Sequence, residues 1–164
     1  MEPSADWQRR RDELWDSFDG LTEEEFLARM DELVAELPAD SAVRAYELGS
    51  AQDSTGHSDR AVPLYRQALE RGLDEDLRRQ AVIQLASSLR NLGEVEESVE
   101  LLAAERERRS DELDDGVSAF LALALADAGR EREALSIALT ALAGHMTRYQ
   151  RSVRNYARLL VEDE

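Results

Sequence analysis

Residues 80–105, QAVIQLASSLRNLGEVEESVELLAAE, decide how the rest of the chain is read. Helical periodicity runs on both sides of one glycine, Gly93, so the stretch reads as two helices joined by a tight turn. Leu85 and Ala86 stand eight and seven residues before the glycine, Ser98 five residues after it, and Leu102 four further on. Around Gly56 the same positions hold Leu48, Gly49, Ala61 and Tyr65; around Gly129 they hold Leu121, Ala122, Ala134 and Ala138. The three glycines lie 37 and then 36 residues apart, a period that marks stacked helical units.

The spacing has a physical cause. Two antiparallel helices approach closely only where each presents a small side chain, as the pairs Gly49/Ala61, Ala86/Ser98 and Ala122/Ala134 would. A leucine at any of them would overpack the contact, at a cost of about 1–3 kcal/mol. The intervening glycine supplies the left-handed backbone that a short helix-ending turn needs.

Outside the repeat the pattern changes. Trp7, Leu14, Trp15 and Phe18 share one face of a first helix, which Gly20 ends. Thr22-Glu23-Glu24-Glu25 has the form of a capping box and opens a second helix with the apolar stripe Phe26, Met30, Leu33, Val34 and Leu37, stopped at Pro38. This hairpin, within residues 1–38, lacks the small-residue pattern and is expected to cap the amino end of three repeats in 42–145, at about 42–75, 79–112 and 115–145. Residues 146–164 hold a last helix whose stripe of Tyr149, Val153, Tyr156 and Leu160 is expected to cover the third hairpin. Its other face carries Arg148, Arg151, Arg154 and Arg158. Those arginines read either as a solvated face or as a docking or dimer surface. Trp7 and Trp15 read either as core of the first hairpin or as part of a helix lying in a groove of its own chain or a neighbour's.

Composition narrows the function. The hydrophobic fraction of 43% is enough for a folded core, and low aromatic content with abundant Ala and Leu favours closely packed helices. The absence of cysteine removes disulfides, zinc knuckles and thiol chemistry. A net charge of −16 disfavours binding to phosphate backbones. All 20 basic residues are arginine, which reads as the codon bias of a GC-rich bacterial genome. The amino terminus has no secretory-signal pattern, and the longest apolar run, Ala119–Ala126, falls far short of the roughly 20 residues that span a bilayer. A soluble, cytoplasmic protein is expected.

AYELGSAQDSTGHSDRAVPLYRQALERG (45–72), the stretch 80–105 and SAFLALALADAGREREALSIALTALAG (118–144) each resemble a tetratricopeptide repeat. The run from Arg44 to Leu160 is similar to a small bacterial tetratricopeptide family, most closely in QLASSLRNLGEVEESVELL and AFLALALADAGREREAL. Two positions depart from the pattern: Leu73 stands where such repeats often end in proline, and Ser58, Val95 and Glu131 stand where an aromatic often follows the turn. The resemblance implies an all-α fold, a right-handed α-solenoid of antiparallel helix hairpins, and a non-catalytic module that binds a protein or peptide on a concave surface lined by the first helix of each repeat. Helical geometry then places Tyr46, Ser50 and Asp53 on that surface, with Ile83, Ser87, Arg90 and Asn91 in the second repeat and Ala119, Leu123 and Asp127 in the third. Only Arg90 and Asn91 could serve a clamp for a peptide's terminal carboxylate, too few to build one. The Tyr, Ile, Ser and Leu side chains suit a segment held by apolar contact and amide hydrogen bonds. A homodimer is a further expectation. The alternative is a regulatory sensor that takes a small ligand or signal peptide and acts through a separate effector chain.

The residues offer no chemistry of their own. His57 and His145 stand apart in the sequence without the ligand spacing of a metal or acid–base site. No glycine-rich phosphate loop is present. Asp74-Glu75-Asp76 and the acidic run at Asp111–Asp115 read as charges favourable at helix amino ends rather than as calcium loops. Neither a cofactor nor a metal is expected.

Overall fold

The three periodic glycines close three turns with one hydrogen-bonding pattern. At each, the N–H after the glycine donates to the carbonyl five residues back: His57 to Gln52 at 2.8 Å, Glu94 to Leu89 at 2.9 Å and Arg130 to Leu125 at 2.8 Å. The glycine N–H bonds three residues back, to Asp53, Arg90 and Ala126. Gly56, Gly93 and Gly129 take φ of 87°, 85° and 75°, the left-handed region that a side chain rarely occupies. These are Schellman turns, in which otherwise orphaned carbonyls at a helix end are satisfied.

The computed structural model describes residues 3–108 and 111–162. Within that range the elements are α1 (Ala5–Asp16), a 3-10 turn (Phe18–Gly20), α2 (Glu23–Val34), α3 (Ala42–Ser54), α4 (Ser58–Arg71), α5 (Glu75–Asn91), α6 (Val95–Arg108), α7 (Asp114–Asp127), α8 (Glu131–His145) and α9 (Gln150–Glu162). No strand occurs among the described residues. The expected all-α solenoid class of antiparallel helix hairpins is the fold found. Backbone packing divides the chain into two compact units, Met1–Ser88 and Leu89–Glu164, with the division inside α5.

In the first unit the helix starts are set by short polar side chains. Ser4 and Ser41 accept from the N–H of Trp7 and Arg44. The capping box at Thr22 is complete, with Glu25 N–H on Thr22 Oγ1 and Thr22 N–H on Glu25 Oε2. Asp74 Oδ1 accepts from Asp76 and Leu77 at the head of α5. The apolar faces of α1 and α2 close on each other and on α3 through Trp7, Leu14, Phe26, Met30, Leu33, Val34 and Ala51. Burial of each large side chain in such a cluster contributes about 1.5–3 kcal/mol. Trp7 is also tied by its indole N–H to Leu33 O at 2.9 Å. Phe26 stands edge-on to Phe18 with ring centroids 4.8 Å apart and tilted to Trp15 at 5.0 Å.

In the second unit, α6, α7, α8 and α9 pack each on the next. Val117, Leu121, Ala124 and Leu125 of α7 and Ala134 and Ala143 of α8 are buried. The packed face of α9 differs from the expected stripe. Ala157 is fully buried with Val153 and Leu160 half-buried beside it, whereas Tyr149 and Tyr156 are 73% and 67% exposed. Close helix contact selects the small side chain and turns the large phenols out. Tyr149 itself takes φ 67°, an unusual left-handed conformation for a residue with a side chain, where the chain turns into α9.

Candidate functional site: a polar cavity in the first unit

α1, α3 and α5 enclose a cavity of about 330 Å³. Tyr46, Glu47, Ser50 and Ser54 come from α3; Leu77, Gln80 and Gln84 come from α5; Arg11 and Trp15 come from α1. Helical spacing explains the rows: 46, 50 and 54 are four apart, as are 80 and 84, so each set stacks on one face. The rows bond to each other. Tyr46 donates its hydroxyl to Gln80 Oε1 at 3.2 Å, and Ser50 donates to Gln84 Oε1 at 3.0 Å. The Tyr46 hydroxyl also meets Ser50 and Gln84, so the two rows share one hydrogen-bond network.

Glu47 is the most unusual member. It is only 2% exposed, yet its carboxylate accepts from Trp15 Nε1 at 3.0 Å and meets Arg11 Nη1 at 3.4 Å. Burial pushes its pKa above the ordinary 4.5, and the indole and guanidinium only partly counter that. Tyr46 is likewise pushed up, to about 12, first by burial and then by the Glu47 charge. Desolvation pulls the Arg11 pKa down, but Asp12 and Glu47 together outweigh it and leave it raised.

Of the residues that sequence alone marked for binding, Tyr46 and Ser50 line this cavity, and Trp15 joins them from α1. Asp53 turns inward, accepting from Ser88 Oγ at 2.8 Å and, at a long 3.5 Å, from Ser58 and Tyr65 hydroxyls. Ile83 is buried and Ser87 half-buried. In the second unit Arg90 Nη1 is bonded to Asp127 Oδ2 at 2.8 Å, so these two marked residues neutralise each other; Asn91 and Leu123 are exposed. Trp7 is 2% exposed, whereas Arg148, Arg151 and Arg158 are all on the surface. Sequence reasoning missed Glu47, Gln80 and Gln84. The polar pair at i and i+4 on α5 was a usable signal for the latter two; Glu47, flanked by Tyr46 and Leu48, gave none.

The histidines each have a carboxylate partner that the sequence did not reveal: His57 Nε2 lies 2.6 Å from Glu23 Oε1, and His145 Nε2 lies 2.7 Å from Asp115 Oδ2. Among the described residues no group of three or more side chains is arranged to hold a metal ion, and no helix is long and apolar enough to cross a membrane.

The comparisons with known proteins agree with the turn geometry. The profile of the Tetratrico peptide repeat family matches residues 42–160. The chain belongs to the tetratricopeptide repeat family, whose repeats are protein-interaction modules. Among solved structures it is similar to a crystal structure of nearly identical TPR-like repeats from a protein of Podosopora anserina designated a kinesin light chain. That match has a TM-score of 0.72 and 19% identity, over 99% of this chain and 94% of the other. At that identity the likeness speaks for the fold. No curated protein matches the sequence at a significant level.

Proposed function

We propose that this chain is a non-catalytic interaction module that holds an extended segment of a partner protein along the α3–α5 face of its first unit. The observation that carries the reading is the pair of rows, Tyr46 and Ser50 against Gln80 and Gln84, a hydrogen-bonding lining that suits the polar backbone of a peptide. A cavity of 330 Å³ is also within the range of small-ligand sites, but those are lined mainly by apolar walls. Two glutamines, a glutamate, an arginine and two serines favour a peptide over the small ligand of a sensor. In this reading residues 1–38 cap the amino end of three repeats in 42–145, and residues 146–164 cap the carboxyl end. The bacterial cytoplasm is the proposed setting, resting on the all-arginine basic complement.

Selection of displayed peptides on the full chain, followed by calorimetry, tests the proposal. Selected peptides should lose about tenfold or more in affinity for the double variant Ser50→Ala/Gln84→Ala, which removes both partners of one hydrogen bond, with circular dichroism confirming that the variant is folded. Unchanged affinity, or no enriched peptide, would sink it.

A further inference from the structure

We infer that the outward face of α9 is a second docking surface, fitted to an acidic segment of a partner protein. Arg151, Ser152, Arg154, Asn155, Tyr156 and Arg158 line one shallow depression on this helix, away from the face where Ala157 packs. The positions 151, 154, 155 and 158 are spaced by three and four, so one stripe carries all three arginines. Arg158 is held by Glu162 and by Asn155 Oδ1 at 2.9 Å. No hydrogen bond or ion pair among the described residues engages Arg148, Arg151 or Arg154.

The stripe is electrostatically out of place. The chain carries −16 overall, yet the described part of α9 holds three arginines and one acidic residue. Like charges three and four residues apart repel. Arg148 and Arg151 also lie at the amino end of α9, where the helix dipole disfavours cations. An incoming carboxylate would relieve both at once, and Arg presents the fork that carboxylates fit. Tyr156, 67% exposed and at the far edge of the depression, gives an apolar neighbour of the segment an aromatic surface.

Charge and reach select the occupant. From Arg151 to Arg158 the helix rises roughly 10 Å, which an extended peptide covers in about three residues, so carboxylates at alternate positions match the row. A nucleic acid would carry its phosphates beyond the stripe into the surrounding negative field. A second copy of this chain would set its whole −16 against the −16 here, whereas a short acidic segment brings only the carboxylates that the stripe pairs.

The test uses the full chain and a short fluorescein-labelled peptide alternating glutamate with alanine, followed by anisotropy at low and physiological salt. The glutamate peptide should bind, weaken with salt, and lose about tenfold or more in affinity to Arg151→Glu/Arg154→Glu. The same peptide with glutamine in place of glutamate should not bind. Ser50→Ala/Gln84→Ala should leave this binding intact, which separates the surface from the cavity of the first unit. Tyr156→Ala, which removes no charge, should weaken binding to a smaller degree. Circular dichroism confirms that each variant is folded, and both exposed arginines can be changed to Gln if reversal disrupts the helix. The inference is overturned if the glutamate peptide does not bind, if the glutamine peptide binds equally, or if charge reversal leaves affinity unchanged. It is also overturned if oligothymidine binds more tightly than the peptide, or if sedimentation shows a dimer that the reversal dissolves.

Discussion

A Cβ placed on Gly49 would lie 2.9 Å from Cδ1 of Tyr65, across the α3–α4 hairpin. Tyr65 is fully buried with its ring 6.2 Å from that of Tyr46, so it has nowhere to retreat. Gly49→Ala therefore overpacks the contact by about 1–3 kcal/mol, against about 1 kcal/mol gained in helix propensity. Urea denaturation should show a net loss of stability, in contrast to the usual gain from Gly→Ala within a helix.

Glu47 makes stability pH-dependent in an unusual direction. Its folded pKa is raised by burial above the ordinary 4.5, so the folded state holds the proton more tightly than the unfolded chain. The stability contributed by protonated Glu47 is full below the unfolded value and is lost as pH rises through the folded one. Glu47→Gln keeps an acceptor for Trp15 Nε1 and cannot ionise. It should match the native protein below pH 4.5 and exceed it in urea midpoint at neutral pH.

Asp53 ties α3 to α4 and α5 through Ser58, Tyr65 and Ser88. Ser88 is fully buried, so Asp53→Ala strands its hydroxyl away from water, at about 1–3 kcal/mol. Asp53→Asn retains an oxygen acceptor and should recover most of that loss. Equal melting temperatures for the two variants would count against the tie.

Pro63 stands inside α4 with its ring exposed, where it cannot donate to the carbonyl of Asp59. Proline in a helix interior costs about 3 kcal/mol relative to alanine. Pro63→Ala should raise the thermal midpoint, and amide exchange should slow in the first turns of α4.

Tyr149 holds φ 67° with its phenol 73% exposed, so strain there is not offset by buried contact. Tyr149→Gly removes about 1–2 kcal/mol of left-handed strain and adds roughly 0.4–1 kcal/mol of unfolded-chain entropy. A small net rise in urea midpoint is expected.

What the sequence revealed and what it hid divide along a physical line. Gly56, Gly93 and Gly129 were legible because a left-handed turn is a local demand that glycine answers alone. Thr22 and Glu25 were legible because a capping box closes within four residues. Glu47 was not, since its burial depends on Trp15 and Arg11, which lie 32 and 36 residues away in the chain. Tyr156 was misassigned to the packed side of α9 because periodicity marks apolar positions without saying which are small enough for close contact. Of the cavity, Tyr46 and Ser50 were readable from their spacing, whereas Gln80 and Gln84 showed in the sequence only as a polar pair with nothing to say what stood opposite them.

The two indoles differ in a way that gives the protein a built-in optical reporter. Trp7 is sealed against Leu33, so its emission should follow unfolding and little else. Trp15 borders the cavity and donates to Glu47, so displacement of that hydrogen bond should shift its spectrum. With Trp7 replaced by Phe, the remaining tryptophan would signal occupancy of the cavity in an unlabelled chain.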